Sequence, residues 1–282
     1  MMNDFNDLKG KVAVITGGSG VIGQALVKGL CTAGVKVVIL DVNPARGAET
    51  AAEFARRPDC GSATGVGADV TDRESLLKAR EEIRSKFGTI DILINCAGGN
   101  KATATTKKER IIPGDNDLEG TFFSLDIDGF DGVFDLNFRG TVLPTMILSE
   151  DMVRKGKGNI LNISSMNAFR PLTKIPAYSA AKAAINNFTQ WLAVHFAPAG
   201  VRVNAIAPGF LLTSQNRFLL TDEQTGEMTP RGAKIIAATP MGRYAEPEEM
   251  VGTMLYLLSD TSSFVTGAVI PVDGGFSAYS GV

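Results

Sequence analysis

Val12-Ala13-Val14-Ile15-Thr16-Gly17-Gly18-Ser19-Gly20-Val21-Ile22-Gly23 decides the architecture. The first five residues read as a strand that runs straight into a glycine cluster, and the pattern over 21–33 is helical. Glycines there permit a tight turn and close backbone approach, and the helix N-terminus that follows offers free N–H groups to an anion. Gly18, Gly20 and Gly23 also keep the GxGxxG spacing. That spacing alone is weak; the order strand, turn, helix gives it meaning. Gly17, Gly18, Ser19, Gly20, Val21, Ile22 and Gly23 are therefore expected to cradle a dinucleotide.

Outward from that turn, short β-branched runs at 12–16, 35–40, 63–68, 90–95, 159–164, 201–205 and 269–272 alternate with amphipathic stretches at 20–33, 45–56, 73–87 and 175–196. This βαβ rhythm predicts an α/β fold, a Rossmann-type doubly wound parallel sheet of about seven strands with helices on both faces. Ligands bind beyond the carboxyl ends of such strands. No repeat or linker interrupts the 282 residues, so a single domain is expected. Two segments near 98–123 and 210–239 break the rhythm, as substrate-side lids or as surface excursions.

Asp41 ends the second strand eighteen residues past Gly23, followed by Val42. A carboxylate there accepts from the adenosine ribose hydroxyls and repels a 2′-phosphate, which favours NAD over NADP. Arg46 lies close enough to pair with such a phosphate, although after Pro44 it reads more simply as a solvated helix residue. Asp69 and Val70 end the third strand, where they meet an adenine or simply start a helix.

Tyr178 and Lys182 stand four apart in a helical stretch, hence on one face, and Ser165 lies thirteen residues before the tyrosine. An ammonium beside the phenol favours phenolate and draws a pKa of about 10 toward working pH. A serine hydroxyl at the same substrate oxygen steadies the charge developing on it. A bare tyrosine and lysine at that spacing is more often an ordinary helix surface; the glycine turn upstream changes the reading.

Composition narrows the partners. With 28 basic and 30 acidic residues the net charge is −2, which offers no footprint for nucleic acid or an anionic membrane. The 44% hydrophobic content suits a sizeable core. Cys31, Cys60 and Cys96 form no CxxC pair, which argues against a disulfide framework or thiolate metal site, and His195 is the lone histidine. His195 also lies roughly 25 Å along its helix from Tyr178 and belongs elsewhere; Phe188, Trp191 and Leu192 near it read as core or subunit interface. No signal peptide or membrane-length apolar run is visible, so a metal-free cytoplasmic enzyme acting on a small molecule is expected.

Together these residues resemble the short-chain dehydrogenase/reductase family over nearly the whole chain. The likeness is carried by the glycine turn, Asp69-Val70, Asn95-Cys96-Ala97-Gly98, Asn137, Ser165, Tyr178 with Lys182, Pro208-Gly209 with Thr213, and Pro271-Val272-Asp273-Gly274-Gly275. It implies Tyr178 as catalytic acid/base, Ser165 as the group that positions the carbonyl, and Lys182 on the nicotinamide ribose. Asn137 would anchor a water that relays protons through Lys182. Asn95, Ala97 and Gly98 would border the cofactor, and Pro208, Gly209, Leu211 and Thr213 its nicotinamide half. A homotetramer is also implied. Two positions depart from the pattern: Val21 replaces the usual glycine, and Cys96 the second asparagine of an NNAG motif.

Within the family the chain is most similar to the D-mannonate oxidoreductase, or fructuronate reductase, group. The likeness lies in Asn95–Lys101, Ile163–Pro171, Trp191–Ala197 and Gly275–Gly281. It implies reversible NADH-dependent reduction of the 5-keto group of D-fructuronate. A sugar acid needs cations and hydrogen-bonding groups near the hydride site, and Asn100, Lys101, Ser165, Asn167, Arg170, Lys174 and Arg217 are the candidates. Alternatives are gluconate 5-dehydrogenation or a polyol, reduction of a 3-oxoacyl thioester, and a catalytically silent nucleotide-binding regulator.

Overall fold

The expected alternation folds into one seven-stranded sheet in a computed structural model that describes residues 5–58, 60, 62–212, 220 and 227–281. The strands are β1 (Val12–Thr16), β2 (Lys36–Asp41), β3 (Ser62–Gly67), β4 (Ile92–Asn95), β5 (Gly158–Ile163), β6 (Val201–Pro208) and β7 (Val269–Val272), ordered β3-β2-β1-β4-β5-β6-β7. Every pairing is parallel. The strand order reverses between β1 and β4, which opens a crevice beyond their carboxyl ends.

Strand periodicity sorts the side chains into two cores. Ala13, Ile15, Val37, Ile39, Ile92, Ile94, Leu161 and Ile163 point to one face, beneath α1 (Val21–Thr32) and α2 (Pro44–Ala55). Val12, Val14, Val38, Leu40, Leu93 and Ile160 point to the other, beneath α3 (Arg73–Phe87). Both faces are dry, so the strands read as continuous apolar runs. Side chains start the crossover helices: Asn43 accepts from the Arg46 N–H before Pro44, and Asp72 from the Ser75 N–H. Gly88, at φ 81°, ends α3.

The remaining helices are α4 (Ile127–Phe134), α5 (Gly140–Leu148), α6 (Glu150–Lys155), α7 (Pro176–Phe196), α8 (Pro230–Ala237) and α9 (Glu249–Leu258). A five-residue π-turn, Asp135–Arg139, joins α4 to α5. Among the described residues no helix is long and apolar enough to cross a membrane.

The segment over 98–123 carries little regular structure, but it is tied down. Thr106 N donates to Lys174 O at 2.8 Å, and Lys107 N and Lys108 N share Gly120 O. Lys234 of α8 reaches Glu109 at 3.4 Å, so the two irregular segments touch.

The cysteine reading needs correction: Cys31, in the last turn of α1, is disulfide-bonded to Cys60, with 4.3 Å between Cα atoms. Spacing of 29 residues concealed the pair because α1 and the turn before β3 pack on the same face of the sheet. Cys96 is free.

Candidate active site

The crevice at the strand reversal holds a cavity of about 700 Å³ whose floor is backbone. Gly17 has φ 64°, and a Cβ on it would lie 2.8 Å from Ala97 Cα; one on Gly23 would lie 2.4 Å from Gly17 O. Side chains at these positions would collide with the main chain, so glycine lets the turn, the loop after β4 and the start of α1 pack backbone to backbone. Thr16 Oγ1 ties the two sides of the floor together by accepting from Cys96 N and Ala97 N at 3.0 and 3.1 Å. The cavity is lined by Gly17, Gly20, Val21, Ile22 and Gly23, by Asp41 and Val42, by Asp69 and Val70, and by Ala97 and Gly98. This shape and donor set fit a dinucleotide. Val21 does no harm as a departure from glycine, because it is the first residue of α1, where helical backbone accepts any L side chain.

Three expected cofactor residues point elsewhere. Gly18 packs against Ile15 and Ile39, where a Cβ would lie 3.0 Å from either side chain. Ser19 is fully buried, and its carbonyl accepts from Gln24 Nε2 and Arg46 Nη2 at 2.9 and 2.7 Å. Asn95 turns into the core, donating to Thr145 Oγ1 and Asn162 Oδ1 at 2.9 and 2.8 Å and binding α5 to the sheet. Their contacts here hold the turn and the neighbouring strands. Arg46, read as a solvated helix residue, lines the cavity because its guanidinium folds back onto the Ser19 carbonyl. Gly132, Asp135 and Leu136 form a far wall that sequence reading missed.

At the other end of the crevice four elements bring the chemical groups together. Ser165 follows β5 and caps a short turn, its Oγ accepting from Asn167 N at 3.2 Å. Tyr178 lies in the first turn of α7, with Lys182 one turn further. Asn137 sits in the π-turn, fully buried, donating from Nδ2 to Gly99 O and Val133 O at 2.7 and 2.8 Å and accepting from Gly99 N. The bulge in the helix is what aims this side chain sideways at the loop after β4. Gly98 is the common neighbour: a Cβ there would lie 2.6 Å from Asn137 Oδ1 and 3.3 Å from Lys182 Nζ.

Electrostatics here depart from the expectation of a depressed phenol pKa. Burial pushes Tyr178 above its ordinary value, and the Cys96 sulfur adds to the rise; only hydrogen bonding with Ser165 opposes them. Lys182 does not offset this, because its ammonium donates to Ile163 O at 2.8 Å and lies 5.5 Å from the Tyr178 ring centre. Burial in turn pushes Lys182 down to about 8, and it pushes the Cys96 thiol up to about 11. At neutral pH the phenol is a proton donor in waiting.

The residues expected around a substrate are only partly assembled. Asn167 is buried beside Ser165, with its Oδ1 unpartnered. Asn100 donates to Thr105 Oγ1 at 2.8 Å, within its own loop. Arg170 donates to Ser277 O at 3.3 Å, and Lys174 stands at φ 76°. Lys101 lines the dinucleotide cavity. Pro208 closes β6, Gly209 donates to Val272 O at 2.9 Å, and Leu211 is buried in a bridge to Ala245. Thr213 and Arg217 lie outside the described residues. His195 stacks on Trp191 far along α7, consistent with its exclusion from the site.

A sheet of this topology with a backbone-floored cleft and a tyrosine–lysine pair at one end defines a class of nucleotide-dependent oxidoreductases. A family model described as enoyl-(acyl carrier protein) reductase matches residues 18–277, and the chain belongs to this family, the short-chain dehydrogenase/reductases, which act on alcohol and ketone groups. An uncharacterized oxidoreductase of Bacillus subtilis, UxuB, is 50% identical over 98% of this chain and 98% of its own. A crystal structure from Haemophilus influenzae, of a protein provisionally named D-mannonate oxidoreductase and with NAD bound, superposes with a TM-score of 0.93 at 48% identity over 99% of both chains. The gluconate 5-dehydrogenase of Burkholderia cenocepacia, solved with NADP and tartrate, matches with a TM-score of 0.82 at 29% identity, covering 99% of this chain and all of that one.

Proposed function

We propose that the protein is an NAD(H)-dependent reductase that interconverts D-fructuronate and D-mannonate. The observation that carries the reading is the grouping of Ser165, Tyr178, Lys182 and Asn137 beside Gly98, a residue that lines the same cleft as the Asp41 carboxylate. The Haemophilus influenzae relative's bound NAD and provisional name support both cofactor and substrate. Asp41 is a hydrogen-bond acceptor for ribose hydroxyls and a repulsive charge for a 2′-phosphate, which selects NADH over NADPH.

When bound, the nicotinamide supplies or accepts the hydride at the substrate's C5. The chain's own residues handle the proton and the orientation. Ser165 donates to the ketone oxygen and fixes its position; Tyr178 delivers a proton to that oxygen as it gains charge. Lys182 binds the nicotinamide ribose and returns a proton to the phenolate, through a water held at the Asn137 and Gly99 polar groups. Asn167, Arg170, Lys174 and, from the second irregular segment, Arg217 are the groups for the sugar hydroxyls and carboxylate, with Asn100 on the loop beside them. A cytoplasmic homotetramer completes the proposal, with the exposed Met146, Trp191 and Val194 as subunit contacts.

A second reading, oxidation of gluconate at C5, is favoured by the likeness to the Burkholderia cenocepacia enzyme. Initial rates of NADH oxidation with D-fructuronate, 5-ketogluconate and an acetoacetyl thioester, each repeated with NADPH, separate the readings. Saturable turnover of fructuronate with NADH is expected; turnover of 5-ketogluconate alone supports the second reading and removes the first.

A further inference from the structure

Among the charged groups that line the dinucleotide cavity, Lys101 is a cation that the reading above leaves without a role there. Lys101 follows the Asn95–Gly99 loop, and its backbone is pinned because its carbonyl accepts from Ala104 N and Thr105 Oγ1. From that anchor its side chain crosses the crevice to α4, where the ammonium nestles against Gly132: a Cβ on Gly132 would lie 2.7 Å from Lys101 Nζ. Both residues line the same cavity as the N-terminus of α1.

The charges around this cavity are unequal in their freedom. Asp41, Asp69 and Asp135 contribute carboxylates, and Arg46 and Lys101 contribute cations. Arg46 is engaged by the Ser19 carbonyl at 2.7 Å. Among the described residues, Lys101 has no carboxylate or carbonyl within hydrogen-bond or ion-pair distance of its ammonium. A dinucleotide brings a diphosphate with two negative charges, and the α1 N-terminus meets it from one wall only.

We propose that Lys101 is the cation that closes over the cofactor's diphosphate from the opposite wall, seated in a notch that the missing side chain of Gly132 leaves in α4. This moves Lys101 from the substrate to the cofactor, and it rests on the proposal that the cleft binds NAD(H). It also gives the first irregular segment a second task, since ordering of its opening residues becomes coupled to nucleotide binding. An ammonium against a phosphate is a point-charge contact, so its strength is screened by salt.

The test is equilibrium binding of NADH, ADP-ribose and adenosine, followed by nucleotide fluorescence and calorimetry at low and high salt, for wild type, Lys101→Met and Gly132→Ala. Lys101 is exposed, so its replacement leaves the fold intact; alanine within α4 favours the helix, so Gly132→Ala acts on the notch without weakening the scaffold. The expected result is that Lys101→Met binds NADH and ADP-ribose about tenfold more weakly at low salt, with a shallower salt dependence, while adenosine affinity shifts less than twofold; Gly132→Ala, whose methyl group displaces only the flexible end of Lys101, weakens NADH and ADP-ribose by a smaller factor and keeps the salt dependence. Unchanged NADH affinity, or equal losses for adenosine and ADP-ribose, overturns the proposal. So does a rise in the keto-acid KM with NADH affinity intact, which returns Lys101 to the substrate. Failure of the wild-type protein to bind NADH at all is a different outcome, one that overturns the NAD(H) reading itself.

Discussion

The cleft has two ends built in different ways. At the nucleotide end, main chain meets main chain: Gly17 against Ala97, Gly23 against Gly17, and Thr16 clamping the loop after β4. At the other end, side chains from separate elements converge, and the described parts of the irregular segments are held by contacts between loops, such as Thr106 to Lys174 and Lys234 to Glu109. Backbone floors are set by the parallel sheet itself and tolerate little change. Side-chain walls are set by loops, which vary without disturbing the fold. One fold can therefore keep its cofactor and exchange its substrate.

The largest expected effect tests the substrate end. Tyr178→Phe removes the proposed proton donor, and kcat should fall by about 10²-fold or more while NADH still binds; near-normal turnover in a stopped-flow assay contradicts the assignment. Gly98→Ala joins the two ends, since its methyl group must displace Asn137 or Lys182. A fall of roughly tenfold or more in kcat is expected, with a loss of about 1–3 kcal/mol in stability from overpacking, read from urea unfolding. An unaltered kcat would separate Asn137 and Lys182 from turnover.

At the nucleotide end, Asp41→Ala should narrow the NADH/NADPH preference by about tenfold, which corresponds to roughly 1.4 kcal/mol. An unchanged ratio of kcat/KM values places specificity elsewhere. The pH dependence sharpens the contrast further. With Tyr178 held above its ordinary pKa, ketone reduction should be fast at neutral pH and decline as the phenol ionises, while alcohol oxidation should climb with pH. The stability term from Lys182 has the opposite origin. Its pKa falls from 10.5 to about 8 on folding, so between those values the unfolded chain holds the extra proton and this group's contribution to stability rises with pH. Parallel pH–rate and urea-unfolding series check both signs. The smallest effect is at the loops: Lys234→Ala breaks an exposed pair with Glu109 and should change stability by less than about 1 kcal/mol, measured by thermal unfolding.

The same contrast explains what could be read from sequence. Gly17, Gly23, Asp41 and the Tyr178–Lys182 pair were legible because local spacing places each at a strand end or on one helix face. Arg46 is exposed on its helix as its spacing suggested, but its contact with the Ser19 carbonyl, like that of Asn95 with Asn162, could not be read because the partners arrive from other parts of the chain. Gly132, Asp135 and Leu136 went unnoticed because only the packing of α4 across the crevice makes them a wall. The Cys31–Cys60 bond was hidden for the same reason. The pKa of Tyr178 was misjudged because spacing shows where Lys182 lies, whereas burial and the Ile163 carbonyl decide what its charge does.

The most direct test of the account follows the hydride. Wild-type protein is incubated with D-fructuronate and NADH carrying deuterium at the transferring position of C4, and the product is examined by NMR. The account predicts D-mannonate with a single deuterium at C5. Unconsumed fructuronate, deuterium at another carbon, or the C5 epimer would contradict it.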